Sequence, residues 1–144
     1  LGSGGGFPGL ALACALADRE GAAVHLVERN GKKAAFLREA VRVTGAAATV
    51  YPMDIGDYVD SVSDRVDCVT SRAVAPLQRL LTLSAPLITA GSRALFLKGQ
   101  DVESELTEAT KYWRMRYRLH SSLSDGGGRI VDITNLSPGT KADG

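Results

Sequence analysis

Cysteine is scarce in this chain of 144 residues: Cys14 and Cys68 are the two present, and they lie far apart. Neither the close spacing of a metal knuckle nor the density of a disulfide scaffold can be built from them, so no metal site is expected and a reducing, cytoplasmic setting is. The roughly 20 consecutive apolar residues of a membrane span are also missing. The stretch GLALACALA, Gly9 to Ala17, resembles the core of a secretion signal, but no basic segment precedes it, and it reads as a buried helix. Excess charge is absent too: 17 Lys+Arg stand against 16 Asp+Glu, so a nucleic-acid surface must be a local patch. Repeats and low-complexity linkers do not occur. The composition, 44% apolar and 23% charged, is that of a globular protein, and the length suits one domain over 1–136, with 137–144 a frayed polar tail.

Glycine is what the chain has in abundance at its start, where five of the first nine residues are Gly. Gly lets the backbone take positive φ and approach a ligand closely, which marks phosphate and nucleotide loops. Two registers fit. Gly4, Gly6 and Gly9 match G-x-G-x-x-G, with Glu28 at the distance of a ribose-binding acid, as in nicotinamide enzymes. Gly2, Gly4 and Gly6 match the G-x-G-x-G loop of S-adenosylmethionine enzymes, whose ribose is also held by an acid ending the second strand. The glycines alone do not separate the two.

Downstream, helix and strand alternate. Pro8 to Arg19 reads as a helix, AAVHLVE as a buried strand ending at Glu28, and GKKAAFLREAVRVTG as a helix with Phe36, Leu37, Ala40 and Val41 on its inner face and Gly45 as its stop. ATVYPM and RVDCVTS read as strands, with Cys68 in the core. APLQRLLTLSAPLI is a helix with Leu77, Leu80, Leu81 and Leu87 at helical spacing, SRALFLKG a strand, and DVESELTEATK a helix with acids in its first turns. This alternation predicts an α/β, doubly wound, mostly parallel sheet with helices on both faces. The end breaks it. YWRMRYRLHSS and RIVDITNL each alternate residue by residue across a connection too short for a crossover, so they must form an antiparallel hairpin. Such an ending favours the methyltransferase variant of the fold over a nicotinamide-binding sheet.

Taken together, LGSGGGFPGLALA, GKKAAFL, TSRAVAPL and LFLKGQ resemble the bacterial glucose-inhibited-division B family, which methylates N7 of one guanine in 16S ribosomal RNA. The resemblance runs from Leu1 to about Ile133, and "SRA" near "APL" followed by "LKGQ" is its most specific part. It implies S-adenosylmethionine as cofactor and the small ribosomal subunit as partner, with no membrane and a monomeric enzyme. It implies donor contacts from Gly2, Gly4, Gly6 and Phe7, ribose contact from Glu28, an adenine-bordering backbone pair at Ile55 and Gly56 with Asp57 beside it, and a further ligand contact from Arg72. It also implies that the first strand of the fold and a helical segment precede Leu1. The chain is therefore expected to be N-terminally truncated, with an unpaired gap between its second and fourth strands, poor stability and weak donor affinity.

The residues carry parts of this independently. Arg72 follows a buried strand at the ligand end of the sheet, where a guanidinium can pair with a carboxylate or phosphate. Lys98 ends the next strand and is placed to meet an RNA phosphate or the guanine edge, or else is solvated. Arg114, Arg116 and Arg118 share one face of a strand; Arg116 is the candidate phosphate contact, and edge protection is the alternative. Lys32, Lys33, Arg38 and Arg42 read as a solvated helix face. Guanine N7 holds an in-plane lone pair at neutral pH, so no base is required and no catalytic residue is assigned; His25 and His120 read as structural or solvated. A nicotinamide-dependent oxidoreductase and an inactive methyltransferase fragment are the competing readings.

Overall fold

The computed structural model describes residues 8–63, 65–72, 75–124 and 126–139; the expectations at Gly2, Gly4, Gly6 and Phe7 lie outside them. The chain divides after Val62 into two compact units.

In the first unit the β-branched runs pair as predicted. β1 (Val24–Val27) and β2 (Ala48–Tyr51) are parallel, in register from Val24 opposite Ala48 to Val27 opposite Tyr51. Helix α1 (Gly9–Ala15) is shorter than the expected Pro8 to Arg19. After Ala15 the backbone tightens into three-residue turns, Ala17 N–H to Cys14 O and Arg19 N–H to Leu16 O, and reverses at Gly21 with φ +76°. Helix α2 (Gly31–Thr44) has the boundaries its end residues dictate: the Asn30 side chain accepts from Lys33 N–H at 3.1 Å, and Gly45 closes it with φ +66°. Its inner stripe is narrower than predicted. Ala34 and Leu37 are buried, Ala40 and Val41 half-buried, and Phe36 is 57% exposed, because it lies about 100° round the helix from Leu37 and the stripe begins at Ala34 instead.

A short helix, α3 (Ile55–Ser61), follows β2 and was not foreseen. Tyr58 and Val59 bury its inner side. The Tyr58 hydroxyl lies 2.6 Å from His25 Nδ1, and both rings pack on Tyr51, so one aromatic cluster ties α3 to both strands.

The second unit is a four-stranded sheet in the order β3-β4-β6-β5. It comprises β3 (Cys68–Arg72), α4 (Leu77–Thr89), β4 (Arg93–Lys98), α5 (Val102–Ala109), β5 (Trp113–Ser121) and β6 (Arg129–Pro138). β3 and β4 are parallel, and β6 is antiparallel to β4 and to β5, the latter as the short connection between them required. Leu77, Leu80, Leu81 and Leu87 of α4 are buried with Phe96, Val131 and Ile133 of the sheet. Each large side chain so covered contributes roughly 1.5–3 kcal/mol over its exposed state. Cys68 is exposed and outside the core: Val69 and Ser71 occupy the buried face, and the period of two turns Cys68, Thr70 and Arg72 the other way. β6 also continues through Ser137 and Pro138, opposite Arg114 and Trp113, past the expected end of order at 136.

Candidate functional site

In a parallel pair the carboxyl ends lie side by side, so residues following β1 and β2 meet at one edge. Glu28 follows β1 there. Its N–H donates to Tyr51 O at 3.0 Å, and its side chain turns inward, leaving the residue 8% exposed. A solvated strand end is thereby excluded. One carboxylate oxygen accepts Asn30 N–H at 3.0 Å, which fixes the rotamer, and a carboxylate offers about four acceptor positions, enough for a diol to share. Ile55 and Gly56 open α3 after β2, at the same edge as Glu28. As the first residues of a helix their N–H groups have no intrahelical acceptor, and nothing lies within 4 Å of the position a Gly56 side chain would take. Asp57 is exposed in the first turn, and Asp54 ahead of it is 3.8 Å from Arg29 in an exposed ion pair.

In the second unit Arg72 and Lys98 end the parallel neighbours β3 and β4, opposite Leu97 and Arg129 respectively. Arg72 is exposed. Lys98 is neither solvated nor turned outward: its side chain is 6% exposed, and its ammonium donates to Ala75 O at 2.5 Å and pairs with Glu105 at 3.0 Å. The same Glu105 oxygen accepts Leu77 N–H at 2.9 Å, capping α4 from α5. Lys98 and Glu105 thus brace the exit of the β3–α4 connection, which begins at Arg72. Glu105 escaped the sequence reading because its acid was credited to the dipole of its own helix. Arg116 lies on the edge strand β5, exposed, on the same face as Arg118 and His120.

His25 is structural, in the aromatic cluster. His120 contacts Asp132 at 3.1 Å. Among the described residues no three of His, Cys, Asp and Glu are grouped to hold a metal ion, and no helix is long and apolar enough to cross a membrane.

Comparison with known proteins identifies the family and the fold. The chain is 66% identical over 136 residues to a ribosomal RNA small subunit methyltransferase G of Nitrobacter winogradskyi, covering 94% of this chain and 49% of the relative. It is 64% identical over 133 residues to the protein so named in Bradyrhizobium sp. strain ORS 278, covering 92% and 60%. The chain therefore spans about half the length of the curated relatives it matches. The crystal structure of a putative rRNA-methylase from Clostridium thermocellum superimposes with a TM-score of 0.66 at 14% identity, over 94% of this chain and 84% of that one, which shows the Rossmann-like α/β fold. Since the family described as rRNA small subunit methyltransferase G matches residues 1–131, nearly the whole sequence, this chain belongs to that family.

Proposed function

We propose that this chain carries the donor-binding core of an enzyme that transfers a methyl group from S-adenosylmethionine to N7 of a guanine in 16S ribosomal RNA. The observation that carries the proposal is the 64–66% identity to proteins named for small-subunit ribosomal RNA methylation. Membership of that family removes the oxidoreductase reading of the glycine loop.

The residues present fit the donor. Glu28, held inward by Asn30 N–H, presents acceptors to the ribose hydroxyls, and the N–H groups of Ile55 and Gly56 border the adenine. Gly2, Gly4, Gly6 and Phe7 belong to the loop assigned to the rest of the donor, and Arg72 to an anionic group of donor or substrate. The donor supplies an electrophilic methyl carbon on sulfonium sulfur. Guanine N7 brings its own lone pair, so the protein has no proton to remove, and alignment accounts for the catalysis. In this reading Lys98 acts one step away from the RNA, through Ala75 and Glu105, and Arg116 supplies a phosphate contact.

Isothermal titration with S-adenosylmethionine and, separately, with NAD tests the reading. Binding of the methyl donor is expected, weakened about tenfold or more by Glu28→Ala, the loss of a charged hydrogen bond. Heat with NAD and none with S-adenosylmethionine would overturn it.

A further inference from the structure

Away from the strand ends, the second unit has a shallow open depression of about 500 Å³ lined by Arg93, Arg116, Tyr117, Arg118, Asp132 and Thr134. Its floor is a fixed polar network. Asp132, its side chain 4% exposed, accepts from Arg93 Nε at 2.7 Å and Nη2 at 2.5 Å and lies 3.1 Å from His120 Nε2. A buried carboxylate is costly unless paired, and here the pairing occupies Arg93. Arg116 and Arg118 rise from β5 on the same face, exposed, and among the described residues neither has an ion-pair partner. The depression thus keeps two positive charges that nothing within it neutralises.

A bulge shapes the spot. Arg116 is opposite Asn135 and Tyr117 opposite Ile133, so Thr134 is an extra residue in β6, and it lines the depression. Bulges at sheet edges re-aim side chains. Protection of an edge strand needs only a charge on that strand. It explains neither a buried, paired carboxylate nor a bulged threonine lining the same hollow as the charges.

We propose that Arg116 and Arg118, with Thr134, form a docking contact for the phosphodiester backbone of the RNA substrate, on a floor made rigid by Arg93, Asp132 and His120. Residues two apart on a strand lie roughly 7 Å apart, so the two guanidiniums can engage one phosphate together or two in succession. Arg93 opens β4 and Lys98 ends it, which sets the contact roughly 17 Å along the strand from the carboxyl end. An RNA touching both is recognised by its folded shape, and the near-neutral charge of the chain accords with that.

The proposal rests on the RNA-substrate reading, and filter binding of radiolabelled 16S transcript from 50 to 200 mM salt tests the two separately. Arg116→Ala with Arg118→Ala is expected to weaken binding about tenfold and to flatten the slope of log K against log salt by about 0.7 where the two share one phosphate and about 1.4 where they take two, roughly 0.7 per lost single-strand phosphate contact. Arg116→Lys with Arg118→Lys should keep the slope, and Lys33→Ala with Arg38→Ala, exposed on α2, should leave binding unchanged. A wild-type slope in the double alanine variant, or an equal loss in the α2 variant, overturns the docking contact and leaves the RNA reading standing. Failure of the unmodified chain to retain the transcript overturns both.

Discussion

Removing the Glu105 carboxylate should show what the brace at the end of β4 is worth. Glu105→Ala leaves the Lys98 ammonium, its side chain 6% exposed, with the Ala75 carbonyl but no carboxylate, and deprives Leu77 N–H at the head of α4 of its acceptor. An uncompensated buried charge costs about 3–5 kcal/mol and an orphaned helix donor about 1–3 kcal/mol. The two overlap, because both partners meet the same oxygen and the half-buried site admits water once the carboxylate is gone, so about 3 kcal/mol is expected. That is a large part of the 5–15 kcal/mol typical of a domain. Trp113, the sole tryptophan, lies in the same unit and reports its unfolding by fluorescence. With a urea slope of about 1.5–2 kcal/mol per molar, the midpoint should fall by about 1.5–2 M. Lys98→Met with Glu105→Leu should recover the part of the loss that comes from the uncompensated Lys98 charge, since a buried ion pair is rarely worth more than apolar side chains of similar volume, while Leu77 N–H stays without its acceptor. A cost below about 1 kcal/mol for Glu105→Ala, or a double variant no better than the single one, would refute the bracing role.

The Arg93 guanidinium hydrogen-bonded to Asp132, reinforced by His120, holds the Asp132 carboxyl down to about 2 against 3.8 for the free side chain. The folded chain therefore binds fewer protons than the unfolded one between those values; this contribution to stability is complete above about pH 4 and is lost as pH falls toward 2. The shift corresponds to at most about 2 kcal/mol, reduced to about 1 kcal/mol because the Arg93 side chain is 55% exposed to solvent screening, and Asp132→Asn should abolish this part of the acid limb in urea melts at successive pH values. Tyr58→Phe removes the bond to His25 and should cost about 1 kcal/mol, whereas Tyr58→Ala also opens a cavity under α3 and should cost about 3–5 kcal/mol; equal losses in denaturant melts would mean the ring packs against nothing. Phe36→Lys should change stability by less than about 0.5 kcal/mol and Leu37→Ala lower it by about 2–5 kcal/mol; comparable losses in the two variants would mean that both side chains face the core, as the wider stripe expected from the sequence has it.

Much of the second unit was legible residue by residue. The leucines of α4 repeat at the period of a helix, and the short connection after Ser121 leaves β5 and β6 no geometry but antiparallel. In the first unit Asn30 and Gly45 bracket α2 through local hydrogen bonding and backbone freedom alone. Helix α3 stayed hidden because seven residues containing Gly56 and two further breaks in apolar pattern show no helical period; its Asp54 and Asp57 were the available signal.

Sequence by itself therefore determined every element but α3, most of their boundaries, the antiparallel ending and the strand-end positions of Glu28, Arg72 and Lys98, since each follows from periodicity, capping and connection length within a few neighbouring residues. Tertiary structure alone decided what those side chains meet: Glu28 turned inward, Lys98 consumed by Glu105 and Ala75, Phe36 left outside, and Asp132 gathering Arg93 from 39 residues away and His120 from 12. Such partners are set by strand register and by which face a helix covers, quantities that belong to the packed chain as a whole and that no local stretch of residues contains.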